Sequence, residues 1–412
     1  MNADAPSLTE RVSHHLARPV EASVRTIARW RLLDWLACVA GARRSEAAAM
    51  ARAAVPDPVM WAAYIGNVLE MDDVYRAAVL HPGPVVWPAA LAGGAGDMAA
   101  LLDAGVRGCE AMIAIGATFD AYHYAHYHPT ATAGVFGAAA VAASLDGLEP
   151  ARTASALGLA GSVAGGLWRM RHEPGLAKQW HVAHAVTTGR AAAAPAAAGA
   201  AGPRFILEGE QGLYAATTRA PKPLALGEGW LIGEVSVKPW GACRHTHPAI
   251  DAALWLKAEG KLDGPIHVAT YRDALVFCDR PDPRSVIEAK FSLQHAVAVV
   301  AARGEPRLAD FEPDAIAALA EARSRVIVAE DPAITARYPD HFGACVRTAA
   351  GAVTLADTLG DPERPLAEAG LLARARALMD WGGVGIDADA AIASCLAGED
   401  PGRIVALLER WR

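Results

Sequence analysis

Lysine is scarce in this chain. Of 38 basic residues only six are Lys, at 178, 222, 238, 257, 261 and 290, and the rest are Arg. Abundant Ala beside this Arg preference matches a GC-rich coding background. A Lys that survives such a bias is a candidate for a task that needs a compact ammonium group. Lys178, Lys238 and Lys290 lie in unusual local sequences, whereas Lys257 and Lys261 read as surface residues. Cysteine is also sparse. Cys38, Cys109, Cys243, Cys278, Cys345 and Cys395 are scattered without a C-x-x-C pair, which excludes a disulfide framework or a zinc-finger arrangement. No run of Lys or Arg and no basic face is present, and the net charge is −7, so nucleic acid is not an expected partner. Long apolar runs are missing too. Segments such as 191–201 are Ala- and Gly-rich and too short to span a bilayer. The polar start (Asn2, Asp4, Ser7, Glu10) lacks the form of a signal peptide, and the expected location is the cytoplasm.

What is present suits a large buried core: 412 residues, 53% hydrophobic and 20% charged, enough for about two domains. Residues 23–42 carry apolar residues at helical spacing, and Ala-rich helices are expected over 85–96, 104–122, 134–145, 151–167 and 181–200. The character changes after Gly202-Pro203. Residues 219–229, with Pro221, Pro223, Gly227 and Gly229, read as a linker. Strands are expected at Ile232–Val237, His267–Tyr271 and Val326–Ala329, with helices between them at 248–258, 293–303 and 313–321. The tail from Pro365 is helical again. The expected fold is mainly α with a smaller α+β domain: a helical domain over 1–234, an α+β domain over 235–360, and C-terminal helices over 361–412 that return to the first domain.

Five polar clusters interrupt the apolar background. Glu70, Asp72, Asp73 and Arg76 crowd together ahead of His81-Pro82-Gly83-Pro84. His123, His126 and His128 follow, the last beside Pro129, Thr130 and Thr132. They lack an H-E-x-x-H frame, so no metal site is expected; His123 and His126 read as surface residues at a helix end, and His128 as an acid/base or anion-binding group. Next, the Pro174-Gly175 turn leads into a helix with Lys178, His181 and His184 one turn apart. A cation at a helix start opposes the macrodipole, a conflict that an anionic ligand relieves. Lys238, Cys243, Arg244, His245 and His247 form a cationic stretch at the expected domain junction, and Lys290 enters a helix in the fifth cluster. Cations and imidazoles outnumber acids across the last four. That balance suits a small substrate with several carboxylates, from which a His or carboxylate moves a proton while cations lower the cost of the charge that builds up. An acid/base lyase or isomerase is the expected class.

In this order the clusters resemble the MmgE/PrpD family, which includes 2-methylcitrate dehydratase, cis-aconitate decarboxylase and iminodisuccinate epimerase. The resemblance runs from Leu32–Cys38 through Glu70–Ala92, His128–Thr130, Gly175–Lys178 and Leu207–Gly209 to Lys238–Asp251 and Glu288–Gln294. It implies a helical domain built from both chain ends, a smaller α+β lid inserted between them, a homodimer, and no metal or organic cofactor. It further implies Glu70, Asp72, Asp73, His81, His128 and Lys178 as catalytic residues and Lys238 as a substrate-binding one; Arg76, Cys243, His245, His247 and Lys290, from the polar clusters, complete the expected substrate-binding set. Glu70 stands where many relatives have Asp. Val74, Tyr75, Cys243 and His295 also leave the pattern, and Val74 and Cys243 do so where decarboxylase relatives carry a hydroxyl residue and a His. The expected activity is a cofactor-independent hydro-lyase on a small hydroxy di- or tricarboxylate such as 2-methylcitrate. The alternatives are a dicarboxylate epimerase, a decarboxylase and a non-catalytic carboxylate binder.

Overall fold

The structure, a computed structural model, describes residues 5–173 and 175–412. Asn2, Asp4 and Pro174, which entered the readings of the N-terminus and of the Pro-Gly turn, lie outside the described residues. The protein is mostly helical, with one four-stranded sheet in a distinct part of the chain. It divides into two compact units. The first takes the chain up to Val68, Asp72–Val235 and Leu371–Arg412; the second takes Leu69–Met71 and Ser236–Gly370. The acidic motif is thereby divided: Glu70 belongs to the second unit, Asp72 and Asp73 to the first.

Five helices organise the first unit: α1 (Ala22–Ala42), α2 (Gly83–Ala92), α3 (Met98–Gly116), α4 (Pro129–Leu145) and α5 (Ala177–Ala191). Small residues set their spacing. Gly134 of α4 lies against Ala185 of α5 and Val85 of α2, and Gly137 of α4 against Met112 of α3. Without side chains at these crossings the backbones approach closely, and α4 is buried along almost its whole length. The C-terminal segment joins this unit through α8 (Glu368–Gly382), whose Arg374 forms a buried ion pair with Asp34 of α1. The carbonyl of Val235, the last residue before the second unit, accepts a hydrogen bond from Arg31 of α1 at 2.6 Å. Exit from and return to the helical unit are therefore both fastened to α1.

The second unit packs α6 (His247–Ala258) and α7 (Leu293–Arg303) with a sheet of β1 (Ile266–Thr270), β2 (Val326–Glu330), β3 (Ala344–Thr348) and β4 (Gly351–Leu355). The order is β2-β1-β3-β4, with β1 and β2 parallel and the other pairs antiparallel. Two sequence expectations change here. Ile232–Val237 is not a strand; a 3-10 turn occupies Leu231–Glu234, and Val237 N–H donates to the Gly360 carbonyl at 2.9 Å outside any ladder. The hairpin β3–β4, for which no strand was expected, is closed by Ala349-Ala350 without the Asn-Gly or Asp-Gly signal that usually marks such a turn.

Candidate functional site

Three helix starts meet in the first unit. His81 N–H, two residues before α2, donates to Thr130 Oγ1 at the start of α4 (3.1 Å), and further along Val85 lies against Gly134. Gly134 faces Ala185, and Gly189 faces Val135, Ala138 and Ala139. Positions advance together in both pairs, so α2, α4 and α5 run parallel. Their N-termini carry His81, His128 and Lys178. Parallel helix starts add their partial positive charges and unsatisfied N–H groups, which favours an anion.

Asp73 holds the start of α2. Its Oδ1 accepts the Gly83 N–H at 2.9 Å, and a Cβ at Gly83 would stand 2.8 Å from that same oxygen, so this turn requires glycine. Burial pushes the Asp73 carboxyl up to about 7, with Asp34 and Asp72 adding to the rise and the Gly83 N–H and Arg31 opposing it. His81 Nδ1 lies 2.6 Å from the Asp73 carbonyl oxygen and 2.9 Å from Asp72 Oδ2. Both are acceptors, so Nδ1 carries the hydrogen and Nε2 is left as the basic nitrogen. A histidine whose tautomer is held by a carboxylate has the form of a general base.

His128 is the N-cap of α4 and is 1% exposed. Its N–H donates to the Gly166 carbonyl at 2.8 Å, and Thr132 Oγ1 donates to the Gly165 carbonyl at 3.0 Å, fixing the Gly165–Trp168 segment against it. The Trp168 ring lies 4.6 Å and the His181 ring 5.6 Å from the His128 ring, centroid to centroid. Lys178 is the second residue of α5, one turn before His181 on the same face. Arg76 is half-buried in the 3-10 turn Arg76–Ala78. The surface reading of His123 does not hold. It is fully buried, stacked between Phe119 and Tyr127, with Nδ1 3.1 Å from Thr217 Oγ1, and burial pushes its pKa down to about 4.

The remaining site candidates lie in the second unit. Lys238 and Glu70 form a buried ion pair at 3.6 Å, and Glu70 has a left-handed backbone (φ 57°), unusual for a residue with a long side chain. Lys290 Nζ donates to the Leu69 carbonyl at 3.0 Å, and Cys243 N–H donates to the Lys290 carbonyl at 2.9 Å. The tripeptide Leu69–Met71 is thus gripped by both lysines and packs on Gly241 through Met71. Cys243 is buried. His245 Nδ1 lies 2.7 Å from Tyr271 Oη, its ring stacked between Phe277 and Phe342. His247 is fully buried, with Nε2 3.1 Å from the Ala242 carbonyl, and burial drives its pKa well down. Among the described residues one group is able to hold a metal ion, His341, Asp357 and Glu363. None of the three belongs to the five polar clusters.

The chain thus carries a helical unit with histidines at neighbouring helix starts, followed by an α/β unit. The MmgE/PrpD N-terminal domain matches residues 59–224 and the MmgE/PrpD C-terminal domain matches residues 240–396, and the chain belongs to the MmgE/PrpD family. Family membership points to a carboxylate-handling enzyme. No curated protein matches the chain. No helix among the described residues is long and apolar enough to cross a membrane.

Proposed function

We propose that this protein is a cofactor-independent hydro-lyase acting on a small hydroxy di- or tricarboxylate such as 2-methylcitrate. The observation that carries the reading is the meeting of His81, His128 and Lys178 at the N-terminal ends of three parallel helices. His81 Nε2, with its tautomer held by Asp72 and the Asp73 carbonyl, takes the proton alpha to a carboxylate. His128 gives a proton to the departing hydroxide. Lys178 and the helix N-termini hold the carboxylates and stabilise the charge that builds up on the enolate. Lys238 and Lys290 act on the Leu69–Met71 tripeptide that precedes Asp72, and so support the acidic motif rather than bind substrate directly.

The test is turnover of 2-methylcitrate, citrate and malate in heavy water, followed by proton NMR and near-UV absorbance. The expected result is an alkene product, with His81→Ala and Lys178→Ala each slowing the reaction about 10²- to 10⁴-fold, which is about 3–5 kcal/mol of barrier. Exchange of the alpha proton without alkene would replace the lyase by an epimerase. Turnover within about twofold of the parent enzyme in both variants would overturn the assignment.

A further inference from the structure

His128 needs a proton for every hydroxide it protonates, yet its side chain is shut away from water at 1% exposure. A group able to supply one lies beside it: His181, whose ring centroid is 5.6 Å away at an interplanar angle of 39°. We propose that His181 is the proton shuttle of this site, carrying a proton from solvent to His128 after each turnover. The inference rests on the hydro-lyase reading above and adds a residue to it.

Four observations support the shuttle. His181 is half-buried, so one imidazole spans the distance between water and the enclosed His128. Its Nδ1 is buried and has no hydrogen-bond partner among the described residues, so this nitrogen is not committed to another protein group. The backbone beside both residues is fixed. Gly166 has a left-handed backbone (φ 106°) and sits so close to Ala131 of α4 that a Cβ would run into it; its carbonyl holds the His128 N–H, and its Cα faces His181. Finally, burial and the neighbouring His184 push the His181 pKa down, so the ring is neutral near pH 7 and returns to its basic form once the proton is passed on. The balance is simple. His128 imidazolium loses its proton to the leaving hydroxide, giving water; His181 imidazolium then reprotonates His128 and is itself reprotonated from solvent. The alpha proton taken by His81 returns to solvent, so no net proton is consumed.

A shuttle differs from a structural residue in one respect: small bases in solution can replace it. In His181→Ala the expected result is a kcat lower by roughly 10- to 100-fold in dilute, poorly buffering medium, with KM within about twofold, and recovery of most of that loss on adding imidazole. Loss without imidazole rescue, or unchanged kcat, overturns the shuttle. A second measurement needs no substrate. With 13C-labelled histidine, the Cε1 signal of His128 is followed against pH in the parent protein and in His181→Ala. Two imidazoles this close do not charge independently, so the His128 midpoint moves upward when His181 is removed. An unmoved midpoint overturns the pairing. If the parent protein turns over none of the acids while the midpoint does move, the hydro-lyase reading fails and the coupled imidazole pair stands.

Discussion

Asp73 shows what burial does to one carboxyl. In water it would ionise near 3.8; inside the first unit it ionises at about 7. The folded protein therefore binds a proton that the unfolded chain has released over that interval. This contribution to stability is complete below about pH 4 and is lost as the pH rises through 7. Stability is expected to fall by on the order of 3 kcal/mol from pH 5 to pH 8 through this group, and Asp73→Asn, which keeps an oxygen for the Gly83 N–H, flattens the dependence. Urea denaturation of both proteins at the two pH values checks it; equal slopes against pH would remove the buried proton from the account. The residue identities of this motif were legible in the sequence. Their division was not: Asp72 holds a histidine and Asp73 caps a helix, whereas Glu70, two residues earlier, pairs with Lys238 in the other unit. Sequence spacing carries no record of which of three adjacent acids meets which partner.

Among the elements, α2, α4 and α5 set the geometry of the candidate site, and glycine sets the geometry of the elements. At Gly189 of α5 a Cβ would run into the Val135 carbonyl oxygen and press on Ala138 of α4, which is helix backbone and unable to turn aside. Gly189→Ala is expected to destabilise the protein by about 1–3 kcal/mol despite the better helix propensity of Ala. It should also lower activity, because pushing α5 from α4 separates His181 and Lys178 from His128. A melting temperature and kcat equal to those of the parent would show that the crossing has slack. The Ala-rich composition points to helices that pack closely, and the helices expected between 23 and 200 form near their places, whereas Leu8–Leu16, Glu46–Ala54 and Pro58–Ile65 are helices that carried no expectation. That α2, α4 and α5 are parallel, with their starts together, follows from contacts some 50 residues apart in the chain and left no local mark. The same holds for β3–β4, where pairing comes from the sheet while the turn residues carry little signal.

At the scale of the whole molecule, the second unit interrupts the first. Val235 and Arg374 both bind α1, at Arg31 and Asp34, one turn apart, so the helical unit is closed by residues from distant parts of the chain. Val163, Leu167 and Trp180 leave large apolar side chains exposed on this unit, in keeping with a proposed homodimer. Sedimentation equilibrium is expected to give twice the 42.9 kDa chain mass; a single-chain mass at micromolar concentration would overturn the dimer.

The sequence by itself determined the class of fold, the family and the residue types of the candidate site. Those follow from composition, from helical periodicity and from motifs in order along the chain, all of which are local. Only the tertiary structure decided which groups meet. It placed His181 beside His128, set Lys238 on Glu70 and Lys290 on the Leu69 carbonyl, buried His123, and brought three helix starts to one end of a bundle. The physical reason is that pairing, burial and the field of converging helices depend on distances between residues far apart in sequence. Packing at glycine crossings fixes those distances, and no single segment encodes them.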